Sequence, residues 1–558
     1  MVTERTRWWR AAGAVAAGAL PCLAFPAPAL WWFAYVALVP WMLLLRSAPT
    51  GRRAALEGWL GGAGFIVAVH HWLLPSLHVF LLPVALLLGV LWIPWALLVR
   101  ELLGGAPHGW RAAAALVLVP AGWLLSELAR SWQGLGGPWG LLGASQWQVP
   151  PALRLASVGG VWLVSLLVVA VNCALVLLVA VPRARVPAVA AVAGCAVLTG
   201  VVWLWLPRPE ASGGVLRVAV VQPGLMADGP DGASGPTTAG TTGTTGTTGT
   251  TGTTGTTATA TAAAAADAAQ RRFDAQERLT GTLVGRRVDL VVWGESSVGA
   301  DLAARPDLSR RLAALSARVG APLLVNVDAR RSDRPGIYKS SVLVGPQGPT
   351  GERYDKMRLV PFGEYVPARA VLGWATSVGK AAGEDRVRGA APVVMGLPDG
   401  TRIGPLVCFE SAFPDMSREL TRMGAAVLVA QSSTSTFQHS WAPAQHASLG
   451  ALRAAENGRP FVHATLTGVS AVYGPSGGRI GPALSTSAST AAVYELPLAR
   501  GTTLFVRFGN WPGGAAVLAL AAYCALRGAR AVRPGRPAPE PSAPPARTVR
   551  GSAARPGR

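Results

Sequence analysis

One cysteine of this chain stands apart from the others. Cys408 lies in a polar, strand-like segment at 402–410, whereas the other four of the 5 cysteines lie inside long apolar runs. A single thiol there has no disulfide partner and too few neighbouring ligands for a metal site. It is therefore either a buried inert thiol or a nucleophile. As a nucleophile it could pair with His446 or His463, although neither has an orienting Asn or Asp signature.

Two further strand-like segments end in groups that complement a thiol. Glu295 follows an apolar run, and Lys356 follows Tyr354-Asp355. A carboxylate whose pKa is raised by partial burial can take the thiol proton and later handle the proton of an incoming nucleophile. The lysine ammonium and the backbone N–H of Phe409 can stabilise a thiolate and a tetrahedral oxyanion. This combination of groups is suited to acyl transfer through a covalent intermediate.

Each of these groups also has an ordinary structural interpretation. Glu295 could cap a helix or be a surface carboxylate, and Lys356 could be a solvated or ion-paired lysine. Glu364 and Glu410 could be ordinary polar groups, or Glu410 could pair with an arginine. The case for Lys356 is strengthened by the rarity of lysine.

Only Lys339, Lys356 and Lys380 are lysines among the 50 basic residues. An amine can exchange a proton when its pKa is lowered, whereas a guanidinium cannot. A chain that uses arginine almost everywhere could therefore keep lysine where arginine cannot substitute. Ordinary codon drift is the competing explanation for Lys339 and Lys380.

The composition indicates an integral membrane protein with a soluble part. Hydrophobic residues make up 51% of the 558 residues and charged residues 14%, and the mean hydropathy is +0.37. The net charge of +22 comes from arginines scattered over short loops and the tail, without the aromatic-interleaved basic groove of a nucleic-acid-binding protein. Eight apolar runs have spanning length, at 11–27, 29–46, 57–75, 79–99, 112–129, 157–181, 187–206 and 506–526.

The arginines predict how these spans are oriented. They lie before the first span, in every second loop after it, and after the last span. If all eight spans are real, these arginines share one side, which the positive-inside rule makes cytoplasmic. Residues 207–505 and the loop 130–156, with Trp132, Trp139 and Trp147, then lie outside the cytoplasm. Tryptophans at that depth are typical of interface anchors.

Within 207–505, short β-branched runs alternate with helical patterns, which predicts an α/β domain whose sheets are covered by helices. The strand candidates are 215–222, 289–293, 322–327, 340–345, 402–408, 426–431 and 461–465, and the helical candidates are 265–285, 306–318 and 444–457. Residues 228–266 are Gly, Thr and Ala repeats without the apolar content of a core, so we expect a disordered insertion. We also expect a seven-span membrane domain at 1–206, a closing span at 506–526 and a disordered basic cytoplasmic tail at 527–558.

The order Glu295, Lys356 and Cys408, each at the end of a strand, resembles the nitrilase or carbon–nitrogen hydrolase superfamily. A narrower resemblance is to apolipoprotein N-acyltransferase. It rests on Tyr-Asp-Lys at 354–356 leading into Leu-Val-Pro-Phe-Gly-Glu-Tyr-Val-Pro at 359–367.

Further segments carry the same resemblance. They are Arg-Ala-Ala-Glu-Asn-Gly-Arg-Pro at 453–460, Thr465, and Thr-Gly-Val-Ser at 467–470. The layout of seven spans, an outer domain and one closing span is also similar, so the resemblance covers nearly the whole chain. It implies an αββα sandwich for the outer domain, on the extracytoplasmic side of a bacterial cytoplasmic membrane.

The resemblance also implies a reaction. Cys408 is the nucleophile, Glu295 the general base, and Lys356 the residue that stabilises the thiolate and the oxyanion. The thiolate attacks an ester carbonyl of a phospholipid to form a thioester. The α-amino group of the N-terminal diacylglyceryl-cysteine of a lipoprotein then takes the acyl chain, with no cofactor, metal or nucleic acid involved. The supporting residues implied are Glu364, Tyr365, Phe409 and Glu410.

The chain departs from the family pattern at three places. Trp-Gly-Glu at 293–295 stands where Trp-Pro-Glu is common, Phe409 stands where many members have Tyr, and 433–438 lacks the Trp of the usual Asn-Asp-x-Trp-Phe-Gly loop. That loop is thought to shape access for lipid substrates, so acyl-donor preference stays open. Two alternatives therefore remain beside the acyltransferase: a membrane-anchored amidase or nitrilase-type C–N hydrolase with the same triad, and an impaired, non-enzymatic membrane paralogue.

Overall fold

The chain forms a helical membrane domain and an α/β domain. The computed structural model describes residues 2–107, 109–224, 254–374 and 384–532. Helices α1–α16 are Val2–Ala19, Val39–Arg46, Gly51–His70, Leu74–Leu77, Leu81–Gly89, Ile93–Leu103, Gly109–Arg130, Pro150–Ala180, Arg185–Trp205, Thr254–Gly281, Pro306–Val319, Arg369–Leu372, Pro414–Arg422, Ala442–Asn457, Leu504–Phe508 and Trp511–Val532. Strands β1–β11 are Glu210–Gln222, Leu290–Trp293, Leu323–Arg330, Ile337–Gly345, Gly348–Asp355, Met395–Gly396, Arg402–Val407, Val427–Ser432, Phe461–Thr465, Ala471–Tyr473 and Thr490–Arg500.

Two predicted disordered segments fall largely outside this description. Residues 225–253 of the Thr-Gly region and the tail beyond 532 lie outside the described residues. Helix α10 begins at Thr254, inside the stretch predicted to be disordered, and α16 continues to Val532, past the predicted end of the last span. The disorder of the rest stays a prediction.

Long apolar helices build the membrane domain. Among the described residues, five stretches are long and apolar enough to cross a bilayer: Gly51–Leu103, Gly109–Arg130, Pro150–Ala180, Pro182–Trp205 and Trp511–Ala529. The first is 53 residues long and contains two of the predicted spans, while the shorter apolar helix Trp31–Arg46 covers another. The polytopic helical domain is confirmed, and the count of eight spans stays a prediction.

Tryptophan side chains fill the centre of the membrane domain. Trp41, Trp92, Trp95 and Trp123 are at most 1% exposed, and their neighbouring ring centroids lie 4.9 to 6.1 Å apart. Gly61 allows the indole of Trp41 to approach, since a Cβ at Gly61 would lie 2.2 Å from the ring. Inside a bilayer, helices associate through such close packing rather than through the hydrophobic effect.

The α/β domain is an αββα sandwich. One sheet has the strand order β11-β1-β2-β3-β4-β5 and the other the order β10-β9-β8-β7-β6. Side chains such as Val220 and Val292 of the first sheet and Val407 and Val429 of the second form the core between the sheets. Helices α10 and α11 cover the outer face of the first sheet, and α13 and α14 that of the second. The fold class predicted for this domain is confirmed.

The predicted strands coincide with β1, β2, β3, β4, β7, β8 and β9, whereas β5, β6, β10, β11 and α13 were not predicted. Strand β5 is polar, and only Gly348 and Tyr354 of its eight residues are buried, since it forms the edge of its sheet. An edge strand buries few side chains and has a weak hydrophobic pattern.

A hydrogen bond from the membrane domain to a buried ion pair on α14 joins the two domains. Helix α8 is interrupted at Gly160, whose φ is +68°, and the N–H of Val161 donates to Glu456 Oε1 at 2.8 Å. Arg453 holds the same carboxylate at 2.7 and 2.8 Å and donates to the carbonyl of Ala412 at 2.7 Å. The Arg-Ala-Ala-Glu motif therefore links a membrane helix to the turn that follows β7.

Candidate active site

The three predicted catalytic residues lie just beyond strand ends. Glu295 follows β2, Lys356 follows β5, and Cys408 follows β7. The N–H of Glu295 donates to the carbonyl of Ser432 at 3.1 Å, which ties the end of β2 to the end of β8 in the other sheet. Cys408 and Ser296 have φ values of +51° and +56°. Residues other than glycine rarely adopt this region, and such strain is typical of functional sites.

Two carboxylates and two ammonium groups form a buried quartet, composed of Glu295, Lys339, Lys356 and Glu364, in which Lys339 is the most exposed side chain at 14%. Lys356 Nζ lies 3.2 Å from Glu295 Oε1 and 2.7 Å from Glu364 Oε1. Lys339 Nζ lies 2.8 Å from Glu295 Oε1 and 2.9 Å from Glu364 Oε1. The two pairs of opposite charges compensate one another, which makes their burial tolerable.

The quartet keeps Glu295 ionised. Burial raises the pKa of Glu295, but the ammonium groups of Lys339 and Lys356 outweigh burial and hold the pKa below its usual range. Burial also raises the pKa of Glu364, but the same two ammonium groups outweigh it and lower that pKa to about 2. The expectation that partial burial raises the pKa of Glu295 is therefore wrong, because it took no account of the second lysine.

Cys408 is a thiol at rest. Burial, reinforced by the negative charge of Glu295, raises the pKa of Cys408 to about 12. Its Sγ lies 3.9 Å from the carbonyl oxygen of Ser433. A protonated thiol is a weak nucleophile and needs a base. The ionised carboxylate of Glu295 is suited to that role.

Glu410 accepts hydrogen bonds from both the segment around Lys356 and the end of β7. Its Oε1 accepts hydrogen bonds from the Tyr354 hydroxyl at 2.7 Å and from the N–H groups of Met357 and Arg358 at 2.7 and 3.0 Å. Its Oε2 accepts from the N–H of Val407 at 2.8 Å. Burial raises the pKa of Glu410. The side chain thus holds the segment carrying one quartet lysine against the strand end carrying the thiol.

The two histidines near the thiol do not form a cysteine–histidine pair. His446 Nε2 lies 3.1 Å from the carbonyl oxygen of Cys408 and 2.9 Å from Ser411 Oγ, rather than against the sulfur. His463 stacks edge-on against His446, and neither of its ring nitrogens has a partner among the described residues. Burial lowers the pKa of His446 to about 4. His446 therefore contacts the backbone of Cys408, and His463 packs against His446.

The remaining supporting residues contact neighbouring rings and charges. The guanidinium of Arg388 lies 5.1 Å from the ring of Tyr365. The ring of Phe409 lies 4.9 Å from that of Phe413, and a Cβ at Gly137 would lie 2.8 Å from it. Phe409 therefore packs against a loop of the membrane domain.

An aromatic junction lies where the loop at 433–438 meets the membrane domain. Phe437 packs edge-on against Trp72 at 5.0 Å, and Trp441 packs against His71 at 4.5 Å. Trp139 is 8% exposed and donates to Gln445 Oε1 at 3.1 Å. This tryptophan docks onto the α/β domain and is not the lipid-interface anchor that was expected.

Lys339 is the site residue whose role the sequence left undecided. It lies on β4, and its rarity as a lysine was the one sequence signal that pointed to it. Lys380, the third lysine, lies outside the described residues.

Replacing Lys339 by methionine is expected to make activity more sensitive to acid. The ammonium of Lys339 helps to hold the pKa of Glu295 down, so its loss raises that pKa and protonates the base at higher pH. The acid limb of the kcat/KM profile should therefore move to higher pH, with a smaller loss at neutral pH. Lys339→Arg keeps the positive charge and is the control. An acid limb that does not move in Lys339→Met would show that Lys339 does not hold the pKa of Glu295 down.

Gly294→Ala is expected to displace Glu295. A Cβ at Gly294 would lie 1.9 Å from the backbone nitrogen of Leu466 and 2.5 Å from the carbonyl carbon of Thr465. Overpacking of this kind destabilises by about 1–3 kcal/mol, and a catalytic group displaced by about 1 Å can lose about 10²-fold in rate. The unfolding temperature and the turnover rate should therefore both fall. Gly478→Ala, where a Cβ meets no atom within 4 Å, should leave both unchanged.

Comparisons with known proteins match both domains. The model of the apolipoprotein N-acyltransferase N-terminal domain matches residues 17–174, and that of carbon-nitrogen hydrolase matches residues 256–504. An apolipoprotein N-acyltransferase of Azotobacter vinelandii is 31% identical, covering 94% of this chain and 96% of the relative. An apolipoprotein N-acyltransferase of Geobacter metallireducens is 28% identical, covering 91% of this chain and 94% of the relative.

Two solved structures match about half of this chain. An amidase from Nesterenkonia sp. is 17% identical, with a TM-score of 0.32, covering 52% of this chain and 93% of that chain. Nit3 of Saccharomyces cerevisiae, a member of branch 10 of the nitrilase superfamily, is 16% identical, with a TM-score of 0.34. The match covers 51% of this chain and 90% of Nit3. Because a relative above 30% identity is matched over nearly its whole length, together with both domain models, the chain belongs to the apolipoprotein N-acyltransferase family.

Proposed function

We propose that this membrane acyltransferase moves an acyl chain from a phospholipid, through a thioester on Cys408, to the α-amino group of an N-terminal diacylglyceryl-cysteine of a lipoprotein. The observation that carries the proposal is the buried quartet beside a protonated thiol, at the boundary with the membrane domain. The family supplies the substrate classes.

In the first half-reaction, Glu295 takes the proton from Cys408 Sγ as the sulfur attacks the ester carbonyl carbon. The oxyanion that forms is stabilised by the ammonium of Lys356 and the backbone N–H of Phe409. The C–O bond then breaks, and the departing alkoxide takes the proton from Glu295. A lysophospholipid leaves, and the acyl chain stays on sulfur.

In the second half-reaction, the α-amine attacks the thioester carbonyl and Glu295 removes its proton. Lys356 again stabilises the oxyanion, and the C–S bond breaks. The thiolate of Cys408 takes back the proton held by Glu295, so an amide is released and the free thiol is restored. Glu364 and Glu410 act as positioning residues, Glu364 for Lys356 and Glu410 for the adjoining backbone.

The proposed membrane arrangement follows the arginine distribution. It places the catalytic domain, 207–505, on the extracytoplasmic side of the cytoplasmic membrane, where both substrates reside. The membrane domain spans 1–206, with a closing span at 506–526. We assign the lipid entrance to the aromatic junction, because apolar rings there connect the membrane helices to the loop beside Cys408.

A two-stage labelling experiment tests this proposal. Full-length protein is incubated with phospholipid carrying a labelled acyl chain, and peptide mapping should find a hydroxylamine-sensitive label on Cys408. Addition of a diacylglyceryl-cysteine peptide should then move the label into an amide. Absence of the label from Cys408 would overturn the proposal that acyl transfer proceeds through a thioester on this residue. A label that moves only to water would make the protein a lipid hydrolase, and turnover of small amides without any lipid label would make it an amidase.

A further inference from the structure

An arginine-lined cavity lies at the end of the membrane domain far from the α/β domain. It has a volume of about 660 Å³, and its charged lining comprises four arginines and one glutamate, Arg46, Arg100, Arg111, Arg527 and Glu101. Arg527 lies roughly 24 Å along α16 from Trp511, and the Trp511 indole donates to Val158 beside the interdomain contact. The cavity is therefore separate from the catalytic site.

Neutral groups hold three of the four guanidiniums. Arg46 donates to the carbonyl of Leu103 at 3.1 Å, and Arg100 donates to the carbonyl of Ala48 at 2.9 Å. Arg111 likewise donates to carbonyls at the end of α6. These bonds orient the guanidiniums at helix ends without neutralising their charge.

The cavity keeps a net positive charge. Among the residues that the structure describes, the only ion pair on its lining joins Arg527 to Glu101. Four guanidiniums against one carboxylate leave three positive charges in excess. Each guanidinium has five N–H donors, so donors remain after the carbonyl bonds. An oriented cluster of this kind is complementary to an anion with several acceptor oxygens.

We propose that this cavity binds the phosphodiester of an anionic phospholipid. Guanidiniums pair with phosphate oxygens in a planar, bidentate geometry. The ends of spanning helices lie at the depth of lipid headgroups, and basic pockets between such helices hold anionic headgroups. Leu97 also lines the cavity and is 40% exposed on α6, which provides an apolar surface for the start of an acyl chain.

Such a lipid would join helices that are distant in the chain. Arg46 ends α2, Arg100 lies in the last turn of α6, Arg111 in the first turn of α7 and Arg527 near the end of α16. One phosphate contacting this set would connect four helices. The bound lipid is therefore expected to stabilise the membrane domain, and this inference does not depend on the proposed reaction.

Lipid binding by the full-length protein in neutral detergent tests the assignment. Thermal unfolding and lipid retention in native mass spectrometry are measured with phosphatidylglycerol, with phosphatidylcholine and with inorganic phosphate. The variants are Arg100→Gln and Arg46→Gln. The matched control is Arg185→Gln, because Arg185 also donates to a helix-end carbonyl, that of Leu178 at 3.3 Å, but does not line the cavity.

Phosphatidylglycerol should raise the unfolding temperature of the wild type more than phosphatidylcholine does. Each cavity variant should weaken phosphatidylglycerol binding about fivefold, while Arg185→Gln should bind like the wild type. If a glutamine variant fails to fold, Arg100→Lys keeps the charge and should retain the preference for the anionic lipid with weaker binding. Equal binding of the two lipids, equal losses in Arg185→Gln, or protection by inorganic phosphate alone would overturn the lipid assignment.

Discussion

Cys408→Ser is expected to abolish both the acyl adduct and acyl transfer. The pKa of the Cys408 thiol is already raised to about 12 by burial and the nearby carboxylate, and a serine hydroxyl is more weakly acidic still. Glu295, whose pKa is lowered, could not deprotonate it. Loss of the nucleophile in comparable covalent hydrolases reduces turnover on the order of 10⁶-fold. The loss should appear as missing label on residue 408 and missing amide product.

Cys524→Ser provides the matched control for this experiment. Cys524 is an exposed thiol on α16, so its replacement should leave label and turnover unchanged. Cys408→Ala should behave like Cys408→Ser, and unfolding temperatures within a few degrees of the wild type would separate lost chemistry from lost fold. A serine variant with wild-type turnover would show that the sulfur is not the nucleophile.

Glu295→Gln is expected to change two measurements in opposite directions. Removing the proposed general base should reduce acyl transfer by about 10²–10⁴-fold. The negative charge of Glu295 raises the pKa of Cys408, so its removal lowers that pKa and increases the thiolate fraction. Alkylation of Cys408 by iodoacetamide at a fixed pH should therefore become faster while turnover falls.

These opposite signs distinguish a base from a structural residue. A merely structural Glu295 would, when replaced, reduce turnover and leave alkylation the same or slower. Glu495→Gln, at a surface carboxylate paired with Arg217, is the control and should change neither measurement. Unchanged turnover in Glu295→Gln would remove Glu295 from the mechanism.

The sequence predicted the parts of the site that lie within single segments. The motif at 354–367 identifies Lys356, and the apolar run before Glu295 identifies a strand end by local pattern alone. Strand β7 and Cys408 are identified in the same way. Polar edge strand β5 was missed because it has no apolar periodicity, even though the motif at its end was recognised. Local pattern therefore found the candidate reactive groups more readily than some of the elements that carry them.

Contacts between segments required the tertiary structure. Lys339 approaches Glu295 because β4 pairs with both β3 and β5, and no spacing in the sequence encodes that distance. The direction of the pKa of Glu295 depends on this second ammonium and was predicted with the wrong sign. The hydrogen bonds of Glu410, and the contact of Glu456 with Val161, likewise join residues distant in the chain.

The sequence by itself thus determined the membrane helices, the α/β class of the outer domain and the identity of Cys408, Glu295 and Lys356 as candidates. These follow from hydropathy, strand patterns and contiguous motifs, all of which act over a few neighbouring residues. Only the tertiary structure decided that the thiol is protonated and the base ionised at rest. Burial and Coulomb interactions depend on distances between segments, and packing alone sets those distances.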